Sequence, residues 1–434
     1  MRLSSLAFAA LAVLSSSIPF TSASSTARNP ISQLGALKNA TIHTYSHRVT
    51  ALSNFDLSFE LFDGQVKLSL EPNLDIIPDG AKIEYLGANG EVVREEPIVR
   101  LEHKVYKGTA WTWSERREEW QHVGWARINV RRDGEQPLFE GHFTINHDHH
   151  HIQRSSHYMQ TKHELDPEVE DRGDEFMVAF RDSDIIPDEA LHNELRRSVD
   201  PGFACKSDLL EFNMAPEHPI YARMSTREDN LWSTLSDRCS PVGSIFEKRQ
   251  LDNTPGSGNS AGVNLVSTIG NTAGCPSTRK VALVGVAADC MYRSSFNSTE
   301  STRQNIISQM NSASDLYERT FNITLGLASL VVIDDPSCPG SVQAATPWNQ
   351  ACSNNLDIQD RLNLFSAWRG TRQDNSSHWT LLSTCNTGSA VGLAWLGQAC
   401  VNTASTSNST SGGSETVSGA NVVIKTSTEW QVIA

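Results

Sequence analysis

The densest run of chemistry-bearing side chains is "HDHHH" at 147–151. On a strand, His147, His149 and His151 would share one face, and alternate histidines can co-ligate a metal. Polar residues at an exposed strand end account for the run more simply. Zinc peptidases need His at i and i+4 on one helix face, with Glu between them as general base. "HEL" at 163–165 starts that pattern, but Pro167 stands where the second His belongs and would break the helix. "HNELR" at 192–196 has no second His, and His43 is followed by Thr44 rather than Glu on the way to His47. No His-Glu-x-x-His occurs in the 434 residues. A serine triad is not supported: "GNSAG" at 258–262 falls in a linker, where loop composition explains it, and no strand-to-helix elbow appears. No phosphate-cradling glycine pattern follows a strand. Asp334 and Asp335 end a strand as turn residues do, rather than forming a glycosidase pair.

The elements that must position any such chemistry fill a chain long enough for two or three domains. Hydrophobic residues at 38% and charged residues at 20% suit packed, soluble structure. A net charge of −14 argues against a nucleic-acid partner, which needs clustered Lys and Arg. Residues 1–23 read as a signal peptide: Arg2, an apolar core from Leu6 to Leu14, then the small residues of "TSA". No later segment approaches the ~18 apolar residues of a membrane span. A secreted, extracellular protein is expected. Five sequons fit that route, at Asn39, Asn297, Asn322, Asn375 and Asn408. The eight cysteines all lie after residue 204, and in an oxidising compartment they should mostly form disulfides. Cys338 with Cys352 is a plausible pair by proximity. No CxxC occurs, which argues against a cysteine zinc ribbon and a thioredoxin-type site.

Residues 30–150 read as a small β-rich domain. "VKLSLEP" (66–72), "AKIEYLG" (81–87), "ARINVRRDG" (126–134) and "LFEGHFTI" (138–145) alternate apolar and polar residues between turn signals. The carboxylate-rich stretch 163–200 reads as a solvated connector. At 246–260, Lys248-Arg249 precedes a Gly/Ser/Asn/Pro linker, and an exposed dibasic pair there is a site for a kexin-like convertase. The pattern then changes. "KVALVGVAA" (280–288) and "LASLVVIDD" (327–335) read as strands buried on both faces. "TRQNIISQMNSASDLYERTF" (302–321) and "DIQDRLNLFSAWRG" (357–370) read as helices, the second ending at Gly370. "HWTLLST" (378–384) and "AVGLAWLG" (390–397) complete an α/β layer with a mostly parallel sheet. Residues 401–419 read as a polar low-complexity loop. Thr426 and Glu429 have the spacing of a capping box, which starts a helix at Thr426.

"RKVALVGVAADCMYRSSF", "RQNIISQMNSASDLYERTF", "DRLNLFSAWRG" and "GSAVGLAWLGQAC" together resemble the adamalysin/reprolysin metalloprotease domain of fungal ADAM-type proteases. "KGTAWTW", "GWARINV", "PLFEGHFTI" and "YMQTKHELDP" resemble the propeptide of the same group. The resemblance implies an α/β metzincin-like catalytic domain, incomplete here, preceded by a β-rich propeptide domain. The implied boundaries are propeptide 24–249, linker 250–274 and the N-terminal part of the protease domain 275–434. It implies that Gly392, Leu393 and Ala394 lie on the edge strand where a peptide substrate adds by backbone hydrogen bonds. In the family, the helix begun at 426–434 continues into the three zinc-binding histidines and the general-base glutamate. None of these is among the residues given, so no catalytic and no metal-binding residue is assigned. Zinc is expected in the full-length family member and none in these 434 residues.

Ala282 stands where many reprolysins have a calcium-binding Glu, so no calcium site is carried over. Cys400 should lack its usual partner. A propeptide cysteine can hold latency in this family, and Cys205 and Cys239 are candidates, with a disulfide between them as the equal alternative. The leading expectation is a secreted zymogen of a zinc metalloendopeptidase acting on protein substrates, inactive as these 434 residues. A non-catalytic binding or inhibitory pseudoprotease is the alternative, and a His-rich metal-binding surface protein is a third.

Overall fold

A computed structural model describes residues 29–62, 64–169, 172–186, 207, 210–215, 218, 220, 276–335, 337–354, 356–387, 390–408 and 413–434. The N-terminal part supplies strands β1 (Gly35–Ala36), β2 (Lys38–His43), β3 (Phe55–Leu61), β4 (Gly64–Pro72), β5 (Lys82–Leu86), β6 (Val92–Pro97), β7 (Val105–Ser114), β8 (Glu119–Arg132), β9 (Leu138–Ile145), β10 (Asp148–Arg154) and β11 (Met177–Arg181), with helix α1 (Ser155–Thr161) after β10. Nine of these strands form one sheet in the order β1-β11-β10-β9-β8-β7-β4-β3-β2. Strict alternation builds it. Phe55, Leu57, Phe59 and Leu61 of β3 all point inward, as do Val66, Leu68 and Leu70 of β4, and they share a core with Ile128, Phe139 and Phe143.

The C-terminal part follows helix α2 (Glu211–Met214). It comprises β12 (Lys280–Ala288), α3 (Cys290–Ser294), α4 (Thr299–Phe321), β13 (Ile323–Ile333), α5 (Ile358–Arg369), β14 (His378–Ser383), β15 (Gly392–Ala394), β16 (Ser405–Asn408), β17 (Ser414–Val417), β18 (Ala420–Ile424) and α6 (Glu429–Ile433). Its sheet runs β15-β18-β14-β12-β13-β5-β6. Strands β18, β14, β12, β13 and β5 are parallel, and β15 and β6 are antiparallel edges. One face packs on α4 through Ile306, Ile307, Met310 and Ala313, and the other on α5 through Ile358, Leu362, Phe365 and Trp368. Such double coverage is why β12 and β13 read as unbroken apolar runs. At Gly285 the indole of Trp379 comes so close that a Cβ would lie 2.1 Å from the ring, so glycine is required there.

Helix α4 starts earlier than its apolar spacing indicates, because Ser298 caps it by accepting the Ser301 N–H. It ends at Asn322 in the left-handed conformation (φ 58°). Helix α5 has a capping box between Asp357 and Asp360, and Gly370 is its C-cap.

Several expectations are corrected. The strand at 81–87 does not belong to the N-terminal sheet: β5 and β6 join the C-terminal one, with Ser329–Ile333 of β13 paired to Lys82–Leu86. Ile83, Glu84, Tyr85 and Leu86 are all buried, so both faces of β5 are covered. The acidic stretch 163–200 is not only a connector, since β11 within it carries four buried residues of the N-terminal sheet. The loop at 401–419 contains the hairpin β16–β17, where Glu415 and Val417 are buried. The disulfides are Cys290–Cys338 and Cys352–Cys385 rather than Cys338–Cys352. The first ties the start of α3 to the segment after β13, and the second ties the approach to α5 to the segment after β14. The capping box at Thr426 does not form: α6 begins at Glu429, and its N-cap Thr428 makes no side-chain cap. The Glu429 carboxylate accepts the Tyr292 hydroxyl instead (2.6 Å), while Thr426 Oγ1 takes the Thr428 N–H (3.2 Å).

Candidate functional site

Strand β15 carries Gly392, Leu393 and Ala394 on the outer edge of the parallel sheet and, among the described residues, pairs with β18 alone. The Val391 carbonyl turns toward β18 and accepts the Ile424 N–H at 2.8 Å. The Ala394 carbonyl and the Leu396 N–H turn the other way, to Asn213. The Asn213 amide donates to Ala394 O (3.0 Å), and its carbonyl accepts the Leu396 N–H (2.8 Å). One side-chain amide thus makes the donor–acceptor pair that a residue of an added strand would make. Three further features hold the segment around Asn213. Glu415 accepts the N–H groups of Glu211 (2.9 Å) and Phe212 (2.8 Å) from beneath the first turn of α2. Phe212 meets Trp395 and His218 edge-on. Gly397, at φ 65°, leaves room for Ile220.

The last helix, α6, is held on the side facing the N-terminal sheet. Trp430 packs against Trp125, His142 and His149, at ring-centre distances of 5.5, 5.5 and 5.1 Å. Asp182 collects three donors: His149 Nδ1 (2.9 Å), His151 Nε2 (2.6 Å) and Gln431 Nε2 (2.7 Å). Burial pushes the Asp182 carboxyl up, but the hydrogen bonds from His149 and His151 more than offset this and hold it far below the usual carboxylate range. Burial, reinforced by His151, keeps His142 neutral well below its ordinary pKa, and its Nδ1 pairs with Ser312 Oγ of α4 at 2.6 Å. The "HDHHH" run is therefore neither an exposed strand end nor a metal face. His150 and His151 are buried, and His147 lies in the turn before β10 with φ 73°. Among the described residues no three His, Cys, Asp or Glu side chains converge as a metal requires, and Asp182 already takes one nitrogen from each of His149 and His151.

Beside α6 lies a cleft of about 390 Å³ lined by His142 and His157 from one side and by Asn305, Lys425 and Glu429 from the other. Burial lowers the Lys425 ammonium to a pKa of about 8 and raises the Glu429 carboxyl. Burial and the nearby Lys425 charge push His157 down to about 3. On the α4 side, the two parts meet through Arg127, whose guanidinium lies 3.1 Å from both Asp315 and Glu318, all three buried.

The remaining candidates are dispersed. Lys248, Arg249, Cys205 and Cys239 lie outside the described residues, as does the signal segment. Asn39, Asn297, Asn375 and Asn408 are exposed. Asn322 is half-buried, and its amide nitrogen donates to the Pro276 carbonyl (3.1 Å). Cys400 is exposed and free among the described residues. No helix among the described residues is long and apolar enough to cross a membrane. Asn213 and Glu415 had no local signal in the sequence: the first is an ordinary polar residue, and the second is hidden in Ser/Thr/Gly-rich text.

A parallel sheet between two helical layers, with an antiparallel edge beside the last helix, is matched in sequence as well. Residues 277–434 match the Reprolysin_5 description of metallo-peptidase family M12. This part of the chain is an M12 metallopeptidase domain. The chain is 48% identical over 411 residues to the disintegrin and metalloproteinase domain-containing protein B of Aspergillus fumigatus, covering 93% of this chain and 51% of that protein. It is 40% identical to the protein of the same name from Arthroderma otae, covering 100% of this chain and 54% of that one. The likeness to fungal ADAM-type metalloproteases is thereby borne out. The chain spans about half the length of the curated relatives it matches. The M12 family implies zinc and peptide substrates.

Proposed function

We propose that the chain is the N-terminal portion of a secreted zymogen of a zinc metalloendopeptidase, with a metzincin-type catalytic domain in which β15 receives the peptide substrate. The observation that carries the reading is the pairing of Asn213 with the end of β15, at Ala394 O and the following Leu396 N–H. An edge strand whose outward groups lie at a groove accepts an extended peptide through backbone hydrogen bonds. Asn213 satisfies two of those groups, at Ala394 and Leu396, with an amide that has no scissile bond. In this reading residues 24–249 are the propeptide, and latency comes from filling the substrate edge while Trp125, His142 and His149 brace α6 through Trp430.

This chain's own residues bind and orient. Gly392 and Ala394 present the edge, Leu393 anchors it by packing inward, and Val432 of α6 comes against Gly392. Cleavage after Arg249 by a kexin-like convertase would free the segment carrying Asn213. The four exposed sequons are consistent with passage through the secretory route. The alternative, a non-catalytic binding or inhibitory pseudoprotease, would leave β15 permanently filled. Replacing Asn213 by Ala in the full-length precursor separates the two. A zymogen gains chelator-sensitive peptide hydrolysis before processing, whereas a pseudoprotease gains none, and the latter result would refute the proposal.

A further inference from the structure

The domain sheet has a second edge, opposite β15, and the propeptide covers that one as well. We propose that the outer edge of β13 is a strand-acceptor site whose occupant is the propeptide strand Lys82–Leu86, and that this pairing keeps the propeptide bound after the chain between them is cut. Ser329–Ile333 pairs in parallel with Lys82–Leu86, residue for residue. The pairing is extended at both ends: the Leu327 N–H donates to Ile76 O (2.8 Å), and the Asp334 N–H donates to Leu86 O (2.9 Å).

The side chains divide the contact into two kinds. Ile76, Ile77, Ile83, Tyr85 and Ile98 enter the same core as Leu325, Leu327, Leu330 and Val332 of β13. By contrast, the α4 surface under β7–β9 is polar. Asn311 bonds to Asn73 and to the Tyr106 carbonyl, Ser312 to His142, and Asp315 and Glu318 to Arg127. Water can replace those partners when the propeptide leaves, but it cannot replace the apolar covering of β13. Of these two contacts the stronger grip therefore lies at β5, and the packing of Trp430 on Trp125 at α6 adds to it. Glu84 adds selectivity: it is buried and bonded by Arg372 of the segment after α5 (2.8 Å). The acceptor edge thus takes an extended segment running parallel to β13, with Ile83 and Tyr85 on its apolar face and, on the other, Leu86 beside a carboxylate opposite Arg372. Once vacant, Ser329–Ile333 would be a row of unpaired backbone groups between apolar side chains, which a second strand of that chemistry could fill.

This inference rests on the zymogen reading for what the propeptide is, but its test reads association, not hydrolysis or latency, so each can fail alone. In the full chain, residues 246–251 are replaced by a recognition sequence for a site-specific protease. The cut protein is then examined by gel filtration and by amide hydrogen exchange. The two pieces are expected to co-elute, with the β5-facing amides of Ser329–Ile333 as protected as before cutting. The Ile83→Ala/Tyr85→Ala double variant is expected to raise the dissociation constant by about 100-fold or more, the factor that loss of two large buried side chains implies. Arg127→Ala should raise it less. Separation of the wild-type pieces on cutting would overturn the proposal, as would a double variant that holds as tightly as the wild type. If the double variant does not fold, the exchange measurement on the cut wild-type protein decides alone. Protection lost at Ser329–Ile333 while the pieces remain together would place the grip elsewhere.

Discussion

Acid should loosen the join between the two halves of the chain, and His157 provides the quantity to measure. Its ring lies 5.5 Å from that of Phe296, and Nε2 is buried without a hydrogen-bond partner among the described residues. Burial and the Lys425 charge lower its pKa from 6.5 to about 3. A depressed histidine favours the folded state above its unfolded pKa, and that contribution is lost as pH falls from about 6.5 toward about 3. A pH of 5 lies about 1.5 units below the unfolded pKa and still above the folded one, and at ~1.36 kcal/mol per unit this costs ~2 kcal/mol. Urea unfolding of the wild type and of His157→Gln would be compared at pH 7 and pH 5, by tryptophan fluorescence and circular dichroism. The wild type should lose about 2 kcal/mol more than the variant over that interval. Taking the difference between pH values removes whatever the substitution costs at pH 7. Equal losses in the two proteins would show that His157 is not held neutral at this contact, and the reasoning from its burial would fail.

Other outcomes follow from the same contacts. Asn213→Ala should weaken the hold of its segment on β15 by about 1–3 kcal/mol, read as a roughly five-fold or greater rise in proteolytic accessibility near residue 213. Arg127→Met should destabilise the fold by about 2 kcal/mol, less than an unpaired buried charge would cost, because the two buried carboxylates lose a shared partner but are still reached by Arg279 and Arg319. Thermal unfolding checks this, and a change under ~1 kcal/mol would contradict it. Cys290→Ala/Cys338→Ala opens a loop with a sequence separation of 48 residues and should cost ~4 kcal/mol on the chain-entropy account. Non-reduced peptide mapping should recover the 290–338 and 352–385 links and no 338–352 link.

The legible parts of the fold were those whose pattern carried its own partner. The apolar runs of β12 and β13 stated that both their faces would be covered, and the spacing of Ile358, Leu362, Phe365 and Trp368 stated a one-sided helix. Alternation in "AKIEYLG" revealed a strand but not its sheet, because pairing with β13 is a contact across more than 240 positions of sequence. Strand β18 passed unnoticed, as five residues after a polar loop lack the length to show a period. The edge at Gly392–Ala394 was placed through family resemblance, not through periodicity, since three residues define no alternation. Its occupant was invisible for a physical reason: Asn213 acts by meeting two backbone groups far along the chain, and nothing in its neighbourhood encodes that meeting. The histidine run was conspicuous but misread, because its role depends on Asp182 and Trp430, which lie on other elements.

The central claim is that β15 is a substrate edge kept filled by the propeptide. The direct measurement is hydrolysis of an internally quenched peptide library by the full-length precursor before and after cleavage following Arg249 and removal of the freed segment, each with and without a zinc chelator. Little hydrolysis before, and chelator-sensitive hydrolysis after, is the predicted result. Equal hydrolysis before and after would show that Asn213 does not close the edge, and none in either state would contradict the enzyme itself.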